Sequence, residues 1–235
     1  MRTAAITLLA LAGAVRGAAQ GGDPFRAQRL ALVERYIAGE GIRHAATLRA
    51  METVRRHEFV PPEYRGEAYR DAPLPIGYGQ TISQPYVVAY MTELLRPAPG
   101  MKVLEVGTGS GYQAAVLAEI GCRVYTVEIF AALADSARRR LARLGYETVQ
   151  VRHGDGHFGW PEAAPFDAII VTAAAGYVPP ALVEQLKPGG GRMVIPVGSV
   201  YGVQNLILVE KGERNDVRTR QLLPVRFVPL LSGLR

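Results

Sequence analysis

Two hydrophobic rhythms divide the chain. Over residues 24–40 apolar side chains recur at helical spacing (Leu30, Leu32, Val33, Tyr36, Ile37), and Gly39 and Gly41 close the run, which predicts a helix. A second helix is expected over 44–55, with Leu48, Met51 and Val54 on one face. The periodicity then stops. Residues 59–62 (Phe-Val-Pro-Pro) and 71–79 are rich in Pro and Gly. Proline fixes φ and offers no donor, so this stretch reads as neither helix nor central strand. It reads as a long ordered loop, the kind compact domains keep for function. The basic pair Arg56 and His57 in the loop before it reads as surface. Pro85 then suits the first turn of a helix carrying Val88, Met91, Leu94 and Leu95, and Ser83 is placed to cap it.

From Met101 short apolar runs alternate with amphipathic ones. Strands are expected over 103–106, 124–127, 148–151, 168–171 and 192–196, and helices over 112–120, 130–144 and 180–186. Such alternation predicts a parallel sheet covered on both faces. The tail, 205–210 and 217–228, reads as further strands joined by a charged turn. The fold class is therefore α/β, a doubly wound Rossmann-like sheet with extra N-terminal helices. Residues 24–235 form one domain, with helices and a loop over 24–100 and the sheet over 101–235; no repeat or linker divides it.

The chain has 235 residues, 49% of them apolar, enough for one sizeable core. Its single cysteine, Cys122, excludes an internal disulfide framework and a cysteine-built zinc site. Cys122 precedes the apolar run 124–127 and reads as a packed residue. The net charge of +6 is spread out. The densest cluster, Arg138, Arg139, Arg140 and Arg143, falls opposite Leu133, Ala137, Leu141 and Leu144 and reads as the solvated side of a helix. No aromatic residue interleaves with it, which argues against a nucleic-acid stripe. Residues 1–19 have the layout of a secretory signal peptide: Arg2, an apolar run over 4–15, then Gly17-Ala18-Ala19 before a cleavage point. No later segment is apolar for long enough to span a bilayer.

The sharpest chemical element is Leu104-Glu105-Val106-Gly107-Thr108-Gly109-Ser110-Gly111-Tyr112, a strand running through alternate glycines into a helix. Such glycines let the backbone turn tightly and approach a ligand. A pyrophosphate fingerprint needs a third glycine at position 112, where Tyr112 stands. Glu105 precedes the first glycine by two residues, where an acid can meet an amino-acid ammonium. Glu128 ends the next strand, where a carboxylate can accept both ribose hydroxyls of an adenosine. Asp155 and Gly156 follow the third strand, placed to accept an adenine amine and to let the ring lie flat. Ligands of open α/β sheets bind at these carboxyl ends. Together, Gly107, Thr108, Gly109, Gly111, Glu128, Asp155 and Gly156 point to a ligand with a ribose and a methionine moiety.

Pro75-Ile76-Gly77-Tyr78-Gly79-Gln80-Thr81-Ile82-Ser83-Gln84-Pro85-Tyr86 resembles the hallmark segment of the protein-L-isoaspartate O-methyltransferase family. Val60-Pro61, the glycine motif, Gly154-Asp155-Gly156, Gln185-Leu186-Lys187-Pro188-Gly189-Gly190, Pro196-Val197-Gly198 and Val225-Arg226-Phe227-Val228-Pro229-Leu230 match as well. The resemblance spans roughly residues 30–231 and implies a seven-stranded methyltransferase sheet. It also implies S-adenosylmethionine as donor and isoaspartyl residues of damaged proteins and peptides as acceptor; apart from the resemblance, a monomer is expected. By position it makes Ser83 the active-site serine and puts Gln80, Thr81 and Ile82 in the loop that closes over the cofactor. The chemistry agrees. Isoaspartate leaves its α-carboxylate free and ionised, with a reference pKa near 4, so it needs no general base. Ser83 then orients the acceptor. The leader is where the chain departs from the family. Family and cofactor supply place the enzyme in the cytoplasm, with export to the periplasm the alternative if the leader is a working signal. Three competing readings are a methyltransferase for a small molecule or RNA, a non-catalytic binding module on the same fold, and an NAD-linked reductase. The loop 80–83, the intact cofactor residues and the glycine spacing weigh against them in turn.

Overall fold

The computed structural model describes residues 22–199 and 201–233; the leader at 1–19 lies outside the described residues. The first helix is shorter than its periodicity predicts. α1 (Arg26–Leu32) passes at Val33 into a π-helical turn, Val33–Ala38, in which the Gly39 amide reaches back to the Glu34 carbonyl. α2 (Ala45–Thr53) begins where His44 accepts the Thr47 amide through its ring, and it buries Ala50 and Met51. α3 (Pro85–Leu95) buries Val88, Met91 and Leu95.

The Pro- and Gly-rich stretch is not simply a loop. Leu74–Gly77 (β1) and Gln80–Ile82 (β2) pair as a small antiparallel hairpin. Its turn residues Tyr78 and Gly79 have φ of 55° and 68°, the double positive φ that a tight two-residue hairpin turn requires. Ahead of it, Arg56 and His57 are buried, against the expectation of surface residues. Arg56 donates to the carbonyls of Ala68 and Ala72 and stacks over the Tyr112 ring at 5.0 Å. Burial pulls its pKa down to about 10, so it remains a cation at neutral pH. The loop hides the Arg56 charge because its own turns expose carbonyls that a guanidinium can fork between.

The main sheet has seven strands: β3 (Lys102–Val106), β4 (Arg123–Glu128), β5 (Gln150–His153), β6 (Ala168–Val171), β7 (Gly191–Val197), β8 (Gln204–Lys211) and β9 (Val217–Val225). Their order is β5-β4-β3-β6-β7-β8-β9, parallel through β7 and antiparallel for the last two. Helices α4 (Tyr112–Glu119), α5 (Ala131–Arg143) and α6 (Pro180–Gln185) connect the parallel strands. Alternate residues of each central strand feed two cores: Val103, Ala168, Ile170 and Val194 on one face, Leu104, Ile169, Val171, Met193 and Ile195 on the other. That two-sided burial is why these strands read as continuous apolar runs. The edge strand β9 instead exposes Arg218 and Arg220, and charge on an edge discourages pairing with another chain.

Two polar residues are spent on structure. Buried Lys211 donates to the carbonyls of Val183, Glu184 and Leu186 at the end of α6, a cation against the helix's negative pole. The arginine cluster on α5 is only partly a solvated face. Arg138 and Arg143 pair with Asp135 and Glu58, while Arg140 turns inward to the Ser110 carbonyl at 2.9 Å. Cys122 is buried, and burial pushes its thiol up to about 11. Among the described residues no helix is long and apolar enough to cross a membrane.

Candidate active site

The chain enters the sheet at its centre. β3 is followed outward by β4 and β5 on one side, and by β6 and β7 on the other. The crevice at this reversal, outside the carboxyl ends, is where an open α/β sheet takes its ligand, and the glycine loop 107–111 lies in it. A cleft there is lined by Gly107, Gly109, Glu128, Gly156 and Thr172, roofed by Gln80 and Thr81 of β2, and closed by residues 228–231 of the tail. A narrower lobe continues under the hairpin, lined by Thr81, Ile82, Ser83, Glu105 and Thr108. Beyond it opens a mainly apolar cleft of about 540 Å³, with Ser83, Gln84, Tyr86, Val203, Phe227 and Val228 in its walls. Thr81 and Thr172 border all three spaces, and Ser83 borders the last two.

Each glycine of the loop has its own reason. Gly107 has φ +97°, and a Cβ there would meet the Thr172 hydroxyl at 2.5 Å. A Cβ on Gly156 would meet Val106 at 2.4 Å, so this glycine serves packing against the end of β3 as well as the cleft floor. Gly111 faces Leu141 and Ala137 of α5 rather than the cleft.

Three carboxylates stand at the carboxyl ends. Glu128 accepts the Gly109 amide at 2.7 Å and the Phe130 amide at 3.0 Å, so it braces the glycine loop while lining the cleft. Each of its oxygens keeps a second lone pair for a ligand hydroxyl. Glu105 is fully buried. Its Oε2 accepts the Thr126 hydroxyl at 2.5 Å, and Thr126 receives that of Thr108 at 2.7 Å. Its Oε1 has no partner among the described residues. Burial, with the Glu128 charge as a smaller cause, pushes its pKa up to about 8. Asp155 has partners within the chain. Its Oδ1 accepts from His157 and its Oδ2 from the Gly233 amide at 3.0 Å. Burial raises its pKa, but those amides and the His157 ring outweigh it and leave the carboxyl below its usual range. It ties the tail to the 155–157 turn, while its neighbour Gly156 supplies the cleft lining.

Thr172 did not stand out in the sequence, and residues 228–230 did so only within a stretch that resembles the family, with no role given to them. Thr172 follows the last residue of β6, so its signal was the carboxyl-end position alone; its hydroxyl donates toward the carbonyls of Val106 and Gly107. The tail was legible as strand but not as a wall. Backbone hydrogen bonds on both sides of Ala174 hold it at Val228 and Leu230.

The cleft fits S-adenosylmethionine. Glycines 107 and 109 leave backbone bare beside it, the Glu128 carboxylate lines it with acceptor capacity to spare for hydroxyls, and the unpartnered oxygen of Glu105 in the narrow lobe suits an ammonium. Sheet order and site together define an S-adenosylmethionine-dependent methyltransferase. A sequence profile described as protein-L-isoaspartate(D-aspartate) O-methyltransferase (PCMT) matches residues 27–235. Protein-L-isoaspartate O-methyltransferase 2 of Syntrophobacter fumaroxidans is 55% identical over 97% of this chain and 95% of its own length. Protein-L-isoaspartate O-methyltransferase 1 of Nitrosospira multiformis is 57% identical over 89% of each. A solved protein-L-isoaspartate O-methyltransferase superimposes with TM-score 0.79 at 31% identity, covering 88% of this chain and 66% of that one. A Plasmodium falciparum structure described as a putative protein-L-isoaspartate O-methyltransferase with S-adenosyl-L-homocysteine superimposes with TM-score 0.73 at 25% identity, over 87% of this chain and 99% of that one. The chain belongs to the protein-L-isoaspartate(D-aspartate) O-methyltransferase family.

Proposed function

We infer that the chain transfers a methyl group from S-adenosylmethionine to the free α-carboxylate of L-isoaspartyl residues in damaged proteins and peptides, the entry step of their repair. The observation that carries the acceptor side is the place of Ser83, between the lobe holding Glu105 and the 540 Å³ apolar cleft. S-adenosylmethionine supplies an electrophilic sulfonium methyl when bound. Glu128 accepts the ribose hydroxyls, Glu105 meets the amino-acid ammonium, Gly107 and Gly109 let the backbone come close, and Gln80, Thr81 and Ile82 cover the donor. The isoaspartyl carboxylate enters from the apolar cleft already ionised, so no side chain removes a proton. Ser83 makes no hydrogen bond among the described residues, and its hydroxyl donates to one carboxylate oxygen while the other attacks. Phe227, Val228 and Tyr86 keep water from competing. The rate then comes from holding two reactants in line.

Labelled methyl from S-adenosylmethionine is expected in an isoaspartyl peptide and not in its aspartyl twin. Equal labelling, or none, overturns the acceptor. Ser83→Ala is expected to slow turnover about 10- to 1000-fold with S-adenosylhomocysteine affinity retained; a full-rate variant removes Ser83 from the chemistry. The proposed place is the cytoplasm, supported by a donor made from ATP there, and the proposed state a monomer. A mature protein beginning at Gln20 in the periplasm overturns the first, and a dimer mass in solution the second.

A further inference from the structure

Ser83 does not cap the helix that follows it. The N-cap of α3 is Gln84, whose side chain makes no capping bond to the helix. The first turn of a helix nevertheless has amides that need acceptors. One acceptor comes from another part of the chain: Asp71, which precedes the hairpin, accepts the Tyr86 amide through Oδ1 at 2.8 Å and the Gln84 side-chain amide through Oδ2 at 2.7 Å. Asp71 is itself held from behind. Fully buried Arg56 donates to the carbonyls of Ala68 and Ala72, on either side of Asp71 in sequence, and its cation lies in the field of the Asp71 carboxylate.

We propose that Asp71 is the positioning residue of the acceptor site: it caps α3 in place of Ser83 and so leaves the Ser83 hydroxyl free to bind the acceptor carboxylate. Both bonds of Asp71 grip residues just beyond Ser83, and Gln84 and Tyr86 are themselves walls of the apolar cleft. Asp71 has no place in the lining of the cofactor cleft. Its effect therefore falls on the acceptor. The hydroxyl of a residue before a helix would otherwise be drawn to the free amides of the first turn. A carboxylate at that pole also suits the helix dipole.

This inference rests on the acceptor reading above, and the measurements separate the two. Asp71→Ala, Asp71→Asn, Ser83→Ala and the Asp71→Ala/Ser83→Ala double variant are compared with wild type. The readouts are kcat/KM for an isoaspartyl peptide, calorimetric affinity for S-adenosylhomocysteine, and hydrogen exchange of the Tyr86 amide. Asp71→Ala is expected to lower kcat/KM about tenfold or more, the scale of a small misplacement, and to speed Tyr86 exchange. Cofactor affinity is expected to stay within about twofold, as for sites that share no contact. Asp71→Asn keeps an oxygen for the Tyr86 amide and is expected to recover most of the loss. The double variant is expected to fall little below Ser83→Ala, because Asp71 works through that hydroxyl. Unchanged kcat/KM in Asp71→Ala, cofactor affinity lost in parallel with activity, no recovery in Asp71→Asn, or fully additive losses would each overturn the role of Asp71. A wild-type protein that leaves isoaspartyl peptides unmethylated would instead overturn the acceptor reading.

Discussion

Glu128→Ala is expected to weaken S-adenosylhomocysteine binding by at least about a hundredfold and to lower the melting temperature at the same time. Two charge-assisted hydrogen bonds to a ribose contribute about 1.5–3 kcal/mol each. The same carboxylate holds the part-buried amides of Gly109 and Phe130, and leaving them without an acceptor costs part of the ~1–3 kcal/mol that a fully buried amide would lose. Glu128→Gln separates the two effects. Its one remaining oxygen can still serve the glycine loop, so most of the stability should return, while the missing charge and second acceptor keep the affinity low. Calorimetric titration and thermal melts of both variants check this. Wild-type affinity in both would remove Glu128 from the cofactor site.

Glu105→Gln is expected to stabilise the ligand-free protein near and above neutral pH while impairing cofactor binding. Burial pushes the carboxyl up to about 8 in the fold from an ordinary value of 4.5. Between those pH values the folded state carries the extra proton, so this group's contribution to stability falls as pH rises across the window and is lost above about 8. Glutamine cannot ionise, and its contribution stays flat. The cofactor ammonium favours the ionised form, so wild-type binding at pH 7 should expel a proton from Glu105. Calorimetry in buffers of different ionisation heat reads that release directly. A wild type that binds without releasing a proton, or a Glu105→Gln variant that releases as many, contradicts the pairing.

The sheet could be read from the chain because its signals are local. Runs such as 168–171 are apolar on both faces and bounded by polar residues, and the strand ends fall within two or three residues of expectation. The glycine loop and Glu128 were legible for the same reason: each ends a strand. What stayed hidden depends on partners far along the chain. The hairpin at 74–82 owes its form to a turn that puts Tyr78 at positive φ, which residue type does not favour. Ser83 has the composition and spacing of a cap, yet an acceptor twelve residues upstream takes that place. Arg56 is buried because distant carbonyls receive it, and the Asp155 carboxylate is drawn to the tail by Gly233. Gly109 shows the same limit. A side chain there would press on Ile76 of the hairpin at 3.2 Å, so Gly109→Val would disturb the roof as well as the ligand space.

The strand that roofs the donor runs without interruption into the residue that meets the acceptor: Thr81 borders both clefts, and Ser83 follows two positions later. One continuous stretch of backbone thus reaches both binding equilibria. Any placement of β2 that the donor favours is also a placement of Ser83, and linkage makes such an effect mutual. Whatever factor the donor adds to the affinity for a damaged peptide, that peptide returns to the affinity for the donor. Where that factor exceeds one, an isoaspartyl chain binds the donor-loaded enzyme more tightly than the empty one, and the methyl ester it becomes is released more readily once the cleft has emptied.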